Sequence, residues 1–204
     1  MTAVASETWG LVFCCQHGTA HADIVGPESR TSTAPVPQEA TFVGIQFSVG
    51  TSLRLADTAS LVDTQISLPD VTPRSFWLDG RRWQTPAADD AELFVDRLAR
   101  DGVVVRDPVV DGVLRGDPST LSPRTVERRF RAATGLTRGA VAQIERARTA
   151  AMMLAGASPV HDVVQQLGYY DEPHLGRMLR RYVGRSPMQL RAGTGGAIAL
   201  DVAQ

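Results

Sequence analysis

Residues 167–191 read LGYYDEPHLGRMLRRYVGRSPMQLR and carry turn and capping signals in close succession. Gly168 favours a turn, Asp171 is a good N-cap for the helix that follows, and Gly184 is a good stop. The helix predicted over 172–183 has two different faces when it is drawn at 100° per residue. Its inner face carries Leu175, Leu179, Tyr182 and Val183, and its outer stripe carries His174, Arg177 and Arg181.

Short helices are predicted before and after this helix. Ser158-Pro159 starts the helix before the turn at Gly168, and Ser186-Pro187 caps a final short helix. A short helix, a turn and a second helix form a helix-turn-helix unit. In such a unit one face of the second helix docks on its scaffold, and the other offers donors to base edges and phosphates.

A second stretch repeats the design about fifty residues earlier. Residues 121–135 read LSPRTVERRFRAATG, with Ser122 as N-cap, Pro123 at the first helical position and Gly135 as the stop. Upstream, residues 107–120 offer one short helix and a proline-containing loop as its partner. The predicted inner face carries Val126, Phe130 and Ala133, and the opposite stripe carries Arg124, Glu127, Arg128 and Arg131.

Residues 137–154 join the two units and are rich in alanine, arginine, methionine and glutamine, which are strong helix formers. About fifteen helical residues span about 22 Å. A strut of this kind can hold two recognition helices in successive major grooves, whose centres lie about 34 Å apart.

Both stretches resemble the AraC family of bacterial transcription regulators. The second has a Gly-aromatic turn, an arginine-bearing helix, Gly-x-Ser-Pro and a closing arginine; the first has Ser122-x-Arg-Thr-Val-x-Arg-x-Phe and Thr134-Gly-Leu-Thr. Together they cover about 70 of the 204 residues. The resemblance implies that double-stranded DNA is the partner, with base-reading and backbone contacts from Arg124, Glu127, Arg128, Arg131, Glu172, His174, Arg177 and Arg181, and phosphate contacts from Arg185 and Arg191.

The front part of the chain predicts β structure from Trp9 to about Pro86. Residues 9–14 form a buried strand pattern, another strand begins at His21, and residues 41–49 alternate between apolar and polar positions. Residues 53–62 fit a short helix. Trp77 and Trp83 flank Asp79-Gly80 as in a hairpin, and they are expected in the core or at a domain interface.

A weaker resemblance links this part to the cupin-like β domain that precedes the DNA-binding module in some AraC-type regulators. Gly44-Ile-Gln-Phe-Ser-Val-Gly and Ile24-Val-Gly-Pro carry it. It implies a partial barrel that senses a small-molecule effector or mediates formation of a homodimer.

The patterns and the two resemblances together predict an α+β protein: a small N-terminal antiparallel β domain, followed by an all-α double helix-turn-helix domain. The resemblance implies that the β domain is a partial cupin-like barrel. The expected parts are a β-rich sensory or dimerisation domain over 1–87, a linker helix over 88–102, an AraC-type DNA-binding domain over 103–191 and a flexible tail over 192–204. Asp89 or Asp90 can cap the linker helix, Gly102 ends it, and the chain is expected to be helical from there to Arg191.

Charge is distributed unevenly behind a net value of −1. Residues 103–191 hold 14 arginines against eight acidic residues, whereas the remainder holds seven arginines against 14 acidic residues. A basic half joined to an acidic half is typical of a nucleic-acid module with a second domain. A solvated, arginine-rich surface explains the charge alone equally well. All 21 basic residues are arginine, a bias that also follows from genome base composition.

No apolar run is long enough for a membrane helix, and residues 1–8 lack the pattern of a signal peptide, so we expect a cytoplasmic protein without a membrane partner. The adjacent Cys14 and Cys15 do not form a disulfide framework. A redox switch at these thiols is an alternative, but nothing else in the sequence favours it.

Cys14, Cys15, His17 and His21 lie close together in sequence but lack the separated ligand pairs that zinc sites prefer. A cupin-type metalloenzyme would need several converging histidines, and the front half has two. We therefore predict no enzyme, no catalytic residues, no metal ligands and no cofactor. The competing hypothesis is a cupin-like small-molecule-binding or metal-dependent protein with a degenerate DNA-binding module.

Overall fold

The computed structural model describes residues 2–33, 39–54 and 56–196. It divides into two compact units that are discontinuous in sequence. One unit, here called the β unit, comprises Thr8–Pro27 and Pro37–Arg138. The other, here called the helical unit, comprises Met1–Glu7, Glu28–Val36 and Gly139–Gln204.

Ten short strands are present in the described ranges, and all of their pairings are antiparallel. Four of them form the main sheet, in the order β5-β2-β3-β7. The other six form the pairs β1-β4, β6-β10 and β8-β9. The strands are β1 (Thr2–Ala3), β2 (Gly10–Gln16), β3 (Thr19–Val25), β4 (Ser32–Thr33), β5 (Ala40–Gln46), β6 (Thr51–Leu53), β7 (Gln65–Ser67), β8 (Ser75–Leu78), β9 (Arg81–Gln84) and β10 (Val104–Arg106).

Seven helices follow or interrupt the strands in the same ranges. The expected linker helix is present as α1, led by a 3-10 turn at Ala88–Asp90. Asp90 occupies its N-cap position without a side-chain hydrogen bond. The helices are α1 (Ala91–Arg100), α2 (Pro108–Arg115), α3 (Pro123–Thr134), α4 (Arg138–Ala155), α5 (Val160–Gln166), α6 (Glu172–Tyr182) and α7 (Pro187–Arg191).

The core of the β unit is largely aromatic. The predicted strand over 9–14 places Leu11 and Phe13 on the inner face of the sheet, where both are buried. Phe94 of α1 packs edge-on against Phe13 and Trp83, at ring separations of 6.2 and 5.9 Å. Helix α1 therefore covers the sheet by inserting one aromatic ring among several, a geometry that edge-to-face pairs favour. The predicted hairpin at Asp79-Gly80 is confirmed as β8-β9, with Trp83 in the core and Trp77 partly exposed.

Two expectations for this part of the chain are wrong. Residues 53–62 are not one helix: β6 ends at Leu53, and only Thr58–Leu61 forms a 3-10 turn, capped by Asp57. The chain after Gly102 is not helical at once, because β10 pairs antiparallel with β6. Both errors have the same cause. Two short β-rich segments fifty residues apart satisfy each other's backbone groups, and neither shows this in its own pattern.

The helical unit contains a small β-ribbon from the N-terminal region. Strands β1 and β4 pair with each other, and a further bridge joins Ser6 to Glu28. The ribbon belongs to the same compact unit as α5–α7 and most of α4. Both compact units therefore contain segments from the N-terminal part of the chain.

The overall arrangement is α+β, with antiparallel sheets followed by a helical C-terminal region. The strands that the structure describes do not join into a closed barrel. Of the expected flexible tail, residues 197–204 lie outside the described residues. Among the helices described, none is long and apolar enough to cross a membrane.

Candidate DNA-binding surface

The first helix-turn-helix, α2 and α3, is joined at its base by Asp107. The carboxylate of Asp107 caps α2, accepting hydrogen bonds from the backbone N–H groups of Val109 and Val110 at 2.8 and 3.4 Å. The same carboxylate receives Nε and Nη2 of Arg129, on α3, at 3.0 and 2.9 Å. One side chain thus fixes the start of one helix and its contact with the next. The sequence reasoning missed Arg129, although Asp107 before Pro108 is a recognisable cap signal.

Helix α3 is seated deeply on its inner face. The predicted residues Val126, Phe130 and Ala133 are all buried, which confirms that face. Gly135 ends the helix in the left-handed region, at a φ of 74°. A Cβ atom there would lie 2.6 Å from Cγ2 of Val62 and 2.7 Å from the carbonyl oxygen of Thr58. The end of α3 therefore presses on the segment that holds the 3-10 turn, and only glycine fits at the contact.

The outer face of α3 presents Arg124, Arg128 and Arg131 to solvent. Within the part of the chain that the structure describes, none of these three guanidinium groups has a carboxylate or hydrogen-bond partner. Glu127, on the same stripe, is engaged: its carboxylate lies 3.4 Å from Nε of Arg138 and accepts the backbone N–H of Arg138. Glu127 therefore holds the first residue of α4 as well as lying near the arginine row.

The second helix-turn-helix, α5 and α6, follows its predicted signals closely. The Asp171 side chain accepts the backbone N–H of His174 at 2.6 Å, and Gly168 adopts a φ of 66° in the turn. Helix α5 begins at Val160, with Pro159 at the N-cap position. The predicted inner face is confirmed, since Leu175, Leu179, Tyr182 and Val183 are all buried.

Arg146 of α4 braces the turn between α5 and α6. Its guanidinium lies 4.3 Å from the centre of the Tyr169 ring, and Nη1 donates to the carbonyl oxygens of Leu167 and Gly168, both at 3.4 Å. Burial raises the pKa of Tyr169, and the nearby Arg146 charge opposes that rise. The sequence marked the turn but not the α4 residue that holds it, because the two are more than twenty residues apart.

His174 is half-buried and partly committed to the same turn. Its ring packs edge-on against Tyr169 at 5.5 Å, and Nδ1 accepts the backbone N–H of Tyr170 at 3.4 Å. A histidine that accepts at Nδ1 carries its proton on Nε2 when neutral, so Nε2 is its remaining donor.

The outer face of α6 presents Glu172, Arg177 and Arg181 to solvent. The Arg181 guanidinium lies 5.2 Å from the centre of the Tyr182 ring, which leaves its N–H donors available. Arg180, which the sequence reasoning did not single out, is also exposed and lines an open groove with Pro187, Met188 and Arg191. In the described ranges Arg177, Arg180 and Arg191 have no acidic partner.

Arg185 lies in a different environment from the other predicted contacts. The residue is 8% exposed, and its guanidinium donates to the backbone carbonyls of Gly184 and Gly195. Its donors are therefore directed at the chain's own backbone and hold residues 193–196 against the end of α6.

The N-terminal ribbon supports α6 at its C-terminal end. The backbone N–H of Ala5 donates to the carbonyl of Tyr182 at 2.7 Å, and that of Thr31 donates to the carbonyl of Arg181 at 2.8 Å. A Cβ atom at Gly184 would lie 2.8 Å from Oγ1 of Thr31. The last carbonyl groups of a helix lack hydrogen-bond donors within the helix. The ribbon supplies donors for two of these carbonyl groups.

The ribbon is fixed to α4 by an ion pair. Arg148 donates from Nη1 and Nη2 to the two carboxylate oxygens of Glu7, each at 3.0 Å, and Nη2 also reaches the carbonyl of Ala5 at 3.2 Å. The side chains are 16% and 8% exposed. No local signal in the sequence could pair residues 141 positions apart.

The cysteine–histidine group near the start of the chain does not assemble into a metal site. Cys14 and His21 are cross-strand neighbours on β2 and β3, and both cysteines are free thiols. Over the described residues, no group of three histidine, cysteine or acidic side chains is placed to hold a metal ion.

Residues 119–193 match a family model described as a helix-turn-helix domain. The match begins just before α3 and ends beyond α7, so it includes α3 and α6 and leaves α2 outside. It shows the class of the domain first: a helix-turn-helix domain that spans 75 of the 204 residues. More narrowly, the chain carries a C-terminal helix-turn-helix domain of the AraC type.

A domain of this type implies DNA binding and transcription regulation, and regulators that contain it are typically not enzymes. No curated protein and no solved structure matches the chain.

Proposed function

We propose that this protein is a sequence-specific transcription regulator whose helices α3 and α6 each read a major groove of double-stranded DNA. The observation that carries the proposal is the grouping of unpaired arginines on one face of each of two capped helices. Elsewhere in the part of the chain that the structure describes, exposed arginines are scattered: some, such as Arg81 and Arg115, are paired with aspartates, and others, such as Arg97, are not. On the outer faces of α3 and α6 the arginines are exposed and have no acidic partner among the described residues.

Unpaired guanidinium groups on a helix face suit DNA because the fork of N–H donors matches the O6 and N7 acceptors of guanine. We assign base reading to Arg124 and Arg128 on α3 and to Arg177 on α6. Glu172, exposed at the start of α6, suits a cytosine amino group. His174 can donate from Nε2. Arg131, Arg181 and Arg191 are proposed as phosphate contacts.

Two residues receive another role in this proposal. Glu127 is bound to Arg138, so we propose that it orients the start of α4 and limits the reach of the arginine row. Arg185 is buried against backbone carbonyls, so we propose that it secures the end of α6 and not a phosphate.

Adjacent grooves are proposed as the two binding positions because of the length of α4. Its 18 residues rise about 27 Å, which is of the order of the 34 Å between successive major-groove centres. The operator is then expected to contain two contacted segments about one helical turn apart.

We further propose that the β unit has the sensory or self-association role of the cupin-like domains it resembles. Aromatic side chains fill the interior of the unit, among them Phe13, Phe76 and Phe94. A small-molecule effector would therefore bind at the surface. An open cleft of about 270 Å³ beside Trp83, Leu93 and Arg97 is the place we propose for it.

The test is selection of bound sequences from random DNA by the full chain, followed by affinity measurements at several salt concentrations. The proposal predicts an enriched motif with two segments, and an affinity that falls as salt displaces phosphate contacts. The double variant Arg128→Ala with Arg177→Ala should bind the selected site at least about 30-fold more weakly, since each bidentate contact contributes about 1–3 kcal/mol.

Arg81→Ala with Arg115→Ala is the matched control, because it removes the same charge from exposed arginines that are ion-paired elsewhere. It should retain the affinity of the wild type. Equal losses in the two double variants would mean that net charge alone drives binding. A selection without any enriched motif would remove the claim of sequence specificity.

A further inference from the structure

Strand β5 forms one edge of the main sheet. It spans Ala40–Gln46, reads ATFVGIQ, and contains no charged residue. In the part of the chain that the structure describes, β2 is its only partner strand. Edge strands are usually protected by charge, by proline or by a bulge, because their unpaired backbone groups can recruit another strand. A seven-residue edge without charge therefore calls for an occupant.

The direction of the backbone groups in β5 follows from its pairing with β2. The N–H of Phe47 donates to the carbonyl of Trp9, its opposite residue, at 3.0 Å. Hydrogen-bonded pairs alternate in an antiparallel ladder, so the odd-numbered residues of β5 bond to β2. The even-numbered residues, Phe42 and Gly44 among them, then direct their N–H and C=O groups away from β2.

The turn at His17-Gly18 supports the same assignment. Both residues have positive φ, and the turn joins the paired residues Gln16 and Thr19. A two-residue hairpin of this kind closes on a hydrogen-bonded pair, so the even-numbered residues of β2 bond to β3. Its odd-numbered residues are left for β5.

The side chains of β5 are complementary to those of an antiparallel second copy of the same strand. The strand has Val43 at its centre, so an antiparallel copy centred on the same residue places Phe42 opposite Gly44, and Gly44 opposite Phe42. Phe42 is 46% exposed on the outer face of the sheet. A Cβ atom at Gly44 would meet nothing within 4 Å, so that position has an open seat on the same face. Phenylalanine covering a cross-strand glycine is a stabilising arrangement in sheets.

We propose that a second copy of this chain pairs with the edge of β5, antiparallel, with a two-fold axis at Val43. In each half Phe42 covers Gly44 of the other copy and packs towards Val12, the cross-strand neighbour of Gly44. The N–H and C=O groups of Phe42 and Gly44 bond to their opposite residues, and two four-stranded sheets become one of eight strands. The inference deepens the self-association role proposed for the β unit and does not rest on the DNA contacts.

Sedimentation velocity of the full chain over a dilution series tests the interface. Pairing through one strand buries little surface, so we expect dimerisation in the range of about 1–100 µM. Gly44→Val is the decisive variant. The added side chain fits the single chain but occupies the seat of the partner's phenylalanine, and it should weaken dimerisation at least about tenfold.

Gln65→Val is the matched control, because it places the same side chain on β7, the opposite edge strand of the same sheet. It should dimerise like the wild type. Phe42→Gly alone should also weaken the dimer, whereas Phe42→Gly combined with Gly44→Phe exchanges the two partners in the same register and should restore it.

A measurement on the unmodified chain does not depend on how the variants fold. Hydrogen exchange at the amides of Phe42 and Gly44 should be slow at high concentration and fast after dilution. A chain that stays monomeric to about 200 µM, or a Gly44→Val variant that dimerises as tightly as the wild type, overturns the proposal. Binding of the wild type to a single selected DNA segment reports separately on the DNA-binding proposal.

Discussion

Helices α3 and α6, the two proposed recognition helices, have the same design and different supports. Helix α3 belongs to the β unit, where it rests on α2 and on the segment around Thr58 and Val62. Helix α6 belongs to the helical unit, where it packs on α5 and receives the N-terminal ribbon at its C-terminal end. Each helix is therefore stabilised by a different segment from the front of the chain.

The features that each helix exposes to solvent are shared, whereas the contacts that support it are not. The outer arginines, the caps and the stop glycine are local features that both stretches share. The supports are long-range and differ: an aspartate–arginine contact and a tight glycine seat for α3, a buried ion pair and a β-ribbon for α6. Damage to one support should therefore be felt in one unit and not in the other.

The largest expected effect is on the ribbon. Glu7→Ala leaves the Arg148 guanidinium buried without its carboxylate, which should destabilise the helical unit by about 3–5 kcal/mol. Hydrogen exchange should show the loss of protection in residues 139–191 and not in 123–134, and urea unfolding gives the magnitude.

Asp117→Ala is the comparison for that variant, because it breaks the exposed ion pair with Arg115. Its cost should be no more than about 1 kcal/mol. If the two variants lose similar stability, the pair between Glu7 and Arg148 does not hold the ribbon in the way described.

The next effect concerns the seat of α3. Gly135→Ala combines a left-handed φ with a Cβ atom that collides with Thr58 and Val62, and it should cost about 2–4 kcal/mol. Gly116→Ala has a similar φ of 76° at the end of α2 but open space around the Cβ atom, so about 1 kcal/mol is expected. Thermal unfolding of both variants separates the cost of the steric contact from the cost of the backbone conformation. Equal losses of stability would contradict a close contact between Gly135 and the segment around Thr58.

A third effect concerns the separate contributions of α3 and α6 to DNA affinity. Arg128→Ala and Arg177→Ala should each lose about 1–3 kcal/mol of binding free energy, roughly 5- to 150-fold in affinity. Each loss should be confined to one segment of the selected operator, because the two residues lie on different recognition helices. Footprinting of the variants on operators with one segment scrambled measures this. Losses on the same segment would contradict the use of adjacent grooves.

The smallest expected effect concerns Glu145, whose charge interacts with that of Glu7 in the ribbon segment. Burial, and repulsion from Glu7, raise the pKa of Glu145, while Arg148 opposes the rise. A raised carboxyl pKa means that the folded state holds the proton more tightly, so ionisation at neutral pH lowers stability. Glu145→Gln should therefore stabilise the chain at pH 7 by a few tenths of a kcal/mol, because the carboxylate is only partly buried and solvent screens its charge.

The advantage of Glu145→Gln should shrink as the pH falls through the folded-state pKa of Glu145 and should be gone below pH 4.5, the ordinary value of the group. Unfolding curves of the variant and the wild type at several pH values follow the trend. A gain in stability that does not change with pH would mean that packing, and not the charge of Glu145, causes it.

Much of the fold could be predicted because its signals are local. The buried strand at 9–14, the hairpin at Asp79-Gly80 and the inner faces of α3 and α6 follow from side-chain periodicity and turn residues. The segments around β6 and β10 were misassigned because their strand character depends on pairing with each other. Short strands draw their stability from partners that a sequence window does not contain.

The candidate site divides in the same way. The exposed positions of Arg124, Arg128, Arg177 and Arg181 follow from helical spacing alone. The burial of Arg185, the engagement of Glu127 and the bracing role of Arg146 depend on contacts with other elements. A guanidinium group binds whatever acceptor the fold brings near it, and an arginine in a basic stretch does not reveal which acceptor that is.

Two capped, arginine-faced helices and the AraC-type module that contains them can be predicted from local signals, because helix caps and helical faces are set within a few residues. What supports each helix follows from the folded chain alone. Glu7 meets Arg148 across 141 positions, and β5 is left as an uncharged edge. Contacts of that range depend on how the whole chain closes its loops, which no local pattern encodes.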